Sequence, residues 1–363
     1  MSSHAIQMRR RRINLEIRED MPAWQQAIAV IGGFLVGLVI SVAILVVSGV
    51  GLSDLWNEFV VFIFTNAQNI SGVLVQSGPL IIVGLAAGIA FKARFWNIGI
   101  EGQMIFGAIG ATFVAIHNIG PEPLRLPLMA LFAALSGMAW MALPVFLRLR
   151  LKVNEIISTL LMNYIAFNFL LHLLYGAWQD PVTAFPNSEQ FESIERLAPL
   201  GWQSLNFAIV IALILVVLTA WFLLFSRFGF LMNFVQANPK MAGAVGVRVG
   251  ALTLLAALAS GAFAGIGGFV ISAGIESRMT QSFFVGYGFS GILIAFLARN
   301  NPIVIILVSV FVATLMIGGQ SLQVFYQVPF AMVQLIQAIV VICVAASEFF
   351  IRYRFRLVQQ GAP

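Results

Sequence analysis

Ten apolar runs of roughly membrane-spanning length recur along this chain, near 26–48, 70–91, 99–118, 126–148, 153–175, 205–225, 251–273, 282–298, 302–320 and 329–350. A helix needs about 20 residues to cross the hydrocarbon, and it satisfies its backbone polar groups internally where no water can. With 60% hydrophobic and only 9% charged residues, an ordinary soluble protein is excluded. The expected fold class is all-α, a polytopic transmembrane helical bundle of about 10 spans. Arg9 to Arg12 precede an apolar stretch from Ile28 to Val47 that is too long for a signal-peptide core, so it reads as an uncleaved first span.

Charge placement orients the bundle. If both termini are cytoplasmic, seventeen of the twenty basic residues fall in inner segments, and only Arg125, Arg196 and Arg278 in outer ones. The positive-inside rule expects that bias. The net charge of +6 is then a topology signal, and no nucleic-acid partner follows from it. The expected domains are a basic cytoplasmic tail at 1–25, a transmembrane domain at 26–350 with an inner loop at 226–250, and a cytoplasmic tail at 351–363. The longest outer loop, 176–204, carries Asp180, Glu189, Glu192 and Glu195 between Tyr175, Trp178 and Trp202. It reads as a solvated loop with an aromatic belt, or as a docking surface.

Two stretches read as broken helices, Gly84 to Gly107 and Ser260 to Gly291, one in each half and running in opposite directions. Paired interruptions point to a possible inverted repeat around a central site. The glycines fit equally well as close helix packing through faces such as Ala257, Gly261 and Gly265. A buried carboxylate at Glu101 costs about 2.5–3.5 kcal/mol on insertion scales unless partnered. It either anchors a helix start, after Asn97 and Gly99, or lines a pathway. Gln103 lies in the same stretch. Asn163 and Asn168 fall inside the fifth run and Gln334 inside the tenth, where each must bond to a neighbour or face a wet cavity. Asn154 and Asn301 read as helix caps.

The inner loop holds one compact helix signal. Asn238 is a favoured N-cap, Pro239 suits the first turn, and Gly246 can take a left-handed stop. A helix that short is marginal alone, so it should rest against something.

No catalytic residues and no metal ligands are expected. His4, His117 and His172 are scattered, Cys343 is the single cysteine, and no phosphate-binding G-x-x-x-x-G-K-[ST] loop occurs. No cofactor is expected in this chain. Transport driven by ATP would need the ATPase on another polypeptide.

Four blocks carry a family resemblance. Phe95 to Gln103, FWNIGIEGQ, is similar to a block FNIG-x-EGQ, and Asn154 to Tyr164, NEIISTLLMNY, is similar to NEVISTLMLNY. Gln236 to Val249, QANPKMAGAVGVRV, resembles a loop G-x-NPxAAxxAGI, and Gly286 to Pro302 also fits. Together they resemble the integral-membrane permease of binding-protein-dependent ABC importers, in the branch for nucleosides and simple sugars. The resemblance extends over about 70–345, and its first two blocks point to nucleoside permeases. It implies one or more ABC ATPase subunits, a second permease as heterodimer or homodimer, and a periplasmic or lipoprotein solute-binding protein. It further implies a multi-pass place in a bacterial plasma (inner) membrane. The expected solutes are nucleosides or related ribose-containing molecules, with simple sugars as the alternative. Asn238, Pro239, Lys240, Ala242 and Gly246 would couple to the ATPase. Gln236, Met241 and Val245 depart from the family pattern in that loop. Rivals from other classes are an ion-coupled secondary transporter and a membrane enzyme.

Overall fold

The computed structural model describes residues 11–18, 21–283 and 286–359. His4, Arg9, Arg10, positions 284–285 of the eighth run and the end of the C-terminal tail lie outside the described residues. Strand β1 (Arg11–Ile17) precedes α1 (Ala23–Val47). Next, α2 (Leu52–Trp56) passes through one π-helical turn, Asn57–Val61, into α3 (Phe62–Thr65). This nearly continuous helix is not among the ten runs, because Asp54, Asn57 and Glu58 interrupt its hydrophobicity. Asn66 caps α4 (Ala67–Lys92) by accepting from the Gln68 N–H. There follow α5 (Ile100–Ile116), α6 (Glu122–Leu151) and α7 (Glu155–Leu174), the last capped by Asn154. The second half contains α8 (Ala208–Phe225), α9 (Arg227–Ala237), α10 (Pro239–Ala244) and α11 (Val249–Ile271), which runs into a π-helical turn ending at Glu276. Then come α12 (Tyr287–Leu297), α13 (Pro302–Tyr326), α14 (Phe330–Arg352) and strand β2 (Tyr353–Gln359).

Among the described residues, eight helices are long and apolar enough to span a membrane. Eight of the ten expected runs form them, whereas the third and eighth form shorter helices. At 17 and 11 residues, α5 and α12 reach about 26 and 17 Å, short of the roughly 30 Å hydrocarbon. Helical backbone that starts within the bilayer needs burial in protein, and both helices find it.

The chain divides into two compact units, Met1–Leu52 with Gln334–Pro363, and Ser53–Val333. In the first, α1 meets α14 where Gly33 and Gly37 approach Cys343 and Val340, and β1 pairs antiparallel with β2. Basic tails are expected there from the residue pattern, and the strands are not. In the second, α4 is the axis: 83% of its most apolar window is buried, against 28% for α6 and α8. Leu80, Ile81, Ile82 and Leu85 of α4 form the core with Met104 of α5 and Phe269 of α11. Helices α5, α6 and α11 touch backbone to backbone. A Cβ at Gly265 would fall 2.1 Å from the Ala133 carbonyl oxygen, and one at Gly107 would fall 2.3 Å from Gly265 Cα. Small residues are what such contact requires.

Segments expected on one side of the membrane bond to one another. In the segments expected outside, the Ser188 N–H donates to Met279 O at 2.9 Å and the Phe191 N–H to Ser277 O at 2.9 Å. The buried Arg125 guanidinium lies 3.1 Å from Glu195 and 3.4 Å from Glu192. In the segments expected inside, Arg94 Nε donates to Gln236 O at 2.7 Å, and Arg148 lies 3.2 Å from Glu155.

Candidate functional site

The two broken helices meet. Glu101, in the first turn of α5 and almost wholly buried, accepts the Gly286 N–H on Oε1 at 3.2 Å and the Gly288 N–H on Oε2. These are orphan donors at the start of α12, so a carboxylate from one short helix caps the other. A Cβ at Gly288 would lie 2.4 Å from Glu101 N, which explains why glycine stands there.

The loop before α5 is tied as tightly. Asn97 Nδ2 donates to Gln103 Oε1 and to Ser260 Oγ, both at 2.9 Å, and its Oδ1 accepts from Gln103 Nε2 at 2.9 Å and the Gly99 N–H at 3.0 Å. Asn163 of α7 reaches across, accepting the Gly102 N–H at 2.8 Å and donating to Ile98 O at 2.9 Å. Thr159, one turn earlier, accepts the Ile98 N–H at 3.2 Å. Asn97, Gly99, Glu101, Gln103 and Asn163 thus form one buried polar junction. Thr159 and Ser260 belong to it and are not among the site residues expected from sequence; polar side chains in otherwise apolar helices were the available signal. Asn168 stands apart, on the exposed face of α7, donating to its own Tyr164 O at 2.8 Å. Gln334 is exposed on α14.

The inner loop is more helical than its sequence signals implied. Ser226 caps α9 by accepting the Gly229 N–H at 3.1 Å, and α9 occupies what reads as loop. Asn238 Oδ1 accepts from the Lys240 and Met241 N–H groups at 3.0 and 3.1 Å, with Pro239 opening α10. Gly246 has φ of +88°, the left-handed turn that releases the chain toward α11. Ala242 is 1% exposed and packs with Val235 of α9 and Leu252 of α11. Met241 and Val245 point outward, 65% and 66% exposed, and Lys240 is exposed as well.

Residues 69–345 match the family described as branched-chain amino acid transport system / permease component. The chain belongs to that permease family. A glucose ABC transporter permease protein of Haloferax volcanii, TsgB13, is 35% identical over 353 residues, covering 94% of this chain and 93% of the relative. A guanosine ABC transporter permease protein of Bacillus subtilis, NupP, is 32% identical, covering 86% and 91%. A nucleoside ABC transporter permease protein of Lactococcus lactis subsp. cremoris, NupB, is 28% identical, covering 81% and 83%. The protein is a permease component of an ABC transporter and is not itself catalytic.

Around the 176–204 loop, an open cavity of about 530 Å³ is lined by Asn187, Glu276, Arg278, Thr280, Gln281 and Ser282. Nearby, the Thr183 hydroxyl and the Val182 N–H hold the Asp180 carboxyl below its ordinary range. Among the described residues no group of three or more His, Cys, Asp or Glu is placed to hold a metal.

Proposed function

We propose that this permease forms the pathway of an ATP-driven importer for nucleosides or related ribose-containing solutes, with ATP hydrolysed by separate subunits docked on α10. The observation that carries the coupling part is the asymmetry of α10. Its inner side is seated through Ala242, while Met241 and Val245 leave apolar surface uncovered on a short, capped helix. Those two residues are departures from the family loop pattern, so they would set the fit to this permease's own ATPase. Displacement of α10 would pass through Ala242 into α9 and α11. A ligand or partner moves such an equilibrium only by favouring one state, so ATP-driven closure of the ATPases must hold α10 differently in the two states.

A second permease, identical or different, would complete the pathway, and a periplasmic or lipoprotein binding protein would deliver the solute. Tyr164, Asn168, His172 and Tyr175 lie along one exposed face of α7 at spacings of one helical turn. A polar stripe of this kind is ill suited to lipid and would face the shared, wet pathway. Ten crossings with both termini cytoplasmic, in a bacterial plasma membrane, complete the reading, with α5 and α12 as buried partial crossings of the two halves.

The nucleoside assignment is supported by the FWNIGIEGQ and NEIISTLLMNY blocks and by the guanosine and nucleoside names of two relatives. Simple sugars are the second reading, favoured by the glucose name of the 35% identical relative. The test is reconstitution of the permease with its ATPase and binding protein in vesicles. ATP-dependent uptake of labelled nucleosides in preference to glucose is expected, and Met241→Asp should abolish it with ATPase assembly. Uptake by this chain alone, on an ion gradient without ATP, would overturn the reading.

A further inference from the structure

We infer that Arg94 carries displacement of α10 to the buried junction at Asn97 and Glu101, acting as a positioning residue for α5 and α12 through the hinge between α9 and α10. This rests on the reading of α10 as the ATPase-facing helix and names the route by which its movement reaches the interior.

The hinge leaves two carbonyls without helical donors, and Arg94 supplies them. In an unbroken helix the Gln236 and Ala237 carbonyls would accept the N–H groups four residues on, those of Lys240 and Met241. Both N–H groups are taken by Asn238 Oδ1, at 3.0 and 3.1 Å. Arg94 Nε donates instead to Gln236 O at 2.7 Å, and Arg94 Nη2 to Ala237 O at 3.3 Å. One guanidinium replaces the two donors that the cap withdraws, and its charge suits the C-terminal end of α9. Asn238 and Arg94 are two halves of one hinge, and Arg94 reaches it from the far end of α4.

The other end of the link is firmly held. Arg94 has φ of +57°, at the left-handed turn after α4, where its own N–H donates to Phe91 O at 3.0 Å and the Phe95 N–H to Ala90 O at 3.1 Å. Glycine is the usual residue at such a turn, so arginine stands there against the backbone preference and its side chain is used. Phe95 is 1% exposed and packs with Met141 and Val145 of α6 and Ala257 of α11. Asn97 follows, bonded to Gln103 and Ser260, and Glu101 then holds the first turn of α12. From the hinge to α12 each step is a hydrogen bond, a buried ring or a turn of helix. Arg94 itself is exposed, so deleting its side chain opens no cavity and its role is separable from folding.

The experiment places Arg94→Gly in the permease, reconstituted with its ATPase and binding protein in vesicles. Glycine keeps the left-handed turn and deletes only the guanidinium. The unfolding midpoint and ATPase co-purification should stay at parental values, and ATP hydrolysis should continue. Uptake per ATP hydrolysed, of whichever of labelled guanosine or glucose the unchanged permease imports, should fall roughly tenfold, within the usual range for coupling between sites. Arg94→Lys, a single charged donor group in place of the two-point fork, should retain more uptake than Arg94→Gly. Hydrogen exchange supplies a readout that a purely structural residue would not move. ATP added to the unchanged importer should alter exchange at both 239–246 and 97–103, and in Arg94→Gly at 239–246 alone. Unaltered uptake per ATP, or an unaltered exchange response at 97–103, would overturn the assignment. Loss of ATPase co-purification would also overturn it, by placing Arg94 in the docking surface. So would a lowered unfolding midpoint with all activities reduced alike, which would make Arg94 a residue of the fold alone. Failure of the ATPase reading looks different: the unchanged permease then shows no ATP-dependent uptake, and the role of Arg94 falls with it.

Discussion

The junction at Glu101 and the helix at α10 are both short helix starts closed by a polar side chain, yet they use it in opposite ways. At Glu101 the capping group comes from a distant helix, its partners are buried or half-buried, and the polar atoms satisfy one another. At α10 the cap is the helix's own Asn238, and what remains outside is apolar Met241 and Val245 beside the charged Lys240. A polar group in a buried junction is committed to holding the bundle together. The α10 segment closes its hydrogen bonds locally and leaves apolar surface uncovered, the surface that the proposed function gives to an ATPase. Polarity alone, read along a membrane protein, therefore does not separate architecture from function; the location of each polar group's partner does.

That contrast can be broken by measurement. Glu101→Ala should be the most damaging change, leaving the Gly286 and Gly288 N–H groups unpaired, with a loss on the order of 3 kcal/mol and a clear fall in the unfolding midpoint in detergent. Asn163→Ala follows, with about 2 kcal/mol from one lost acceptor and one lost donor. Asn238→Ala should cost about 1 kcal/mol locally and leave the global midpoint almost unmoved, while uptake in the reconstituted importer drops. If Asn238→Ala lowers the midpoint as far as Glu101→Ala does, the two regions are not different in kind. Met241→Ala should change stability by less than about 0.5 kcal/mol and weaken only ATPase binding, measured by co-purification. The smallest effect concerns Asp180. Its lowered carboxyl value means that its turn is stabilised above the ordinary carboxylate range and loosens only as pH falls through the lowered folded value. Limited proteolysis of the outer loop across acid pH should show cleavage rising there, and Asp180→Asn should remove that dependence.

Much of the helical layout was legible because the signals are local. Asn154, Asn238 and Asn301 each accept the N–H two residues on, as cap residues do. Apolar runs located the long helices. What stayed hidden depends on partners far along the chain. The segment 52–65 looks too polar for a helix of the bundle until Glu58 meets Ser321. β1 and β2 read as charged tails because their pairing joins opposite ends of the sequence. Glu101 could be anchor or pathway by sequence alone, since Gly286 and Gly288 show no sign of needing its oxygens. α9 was hidden for a different reason: Arg227, Gly229, Asn233 and Gln236 break its apolar face, and its helix is fixed by Ser226 and by burial of Met232 and Val235.

The bond from Gly286 to Glu101 joins residues 185 positions apart. Its acceptor is synthesised well before its donor. When α12 leaves the ribosome it is too short to lodge in the bilayer by itself, and the acceptor for its first turn was synthesised long before. Loss of the Glu101 carboxylate is therefore expected to disturb the seating of α12 as well as that of α5, even though every residue of α12 is unchanged.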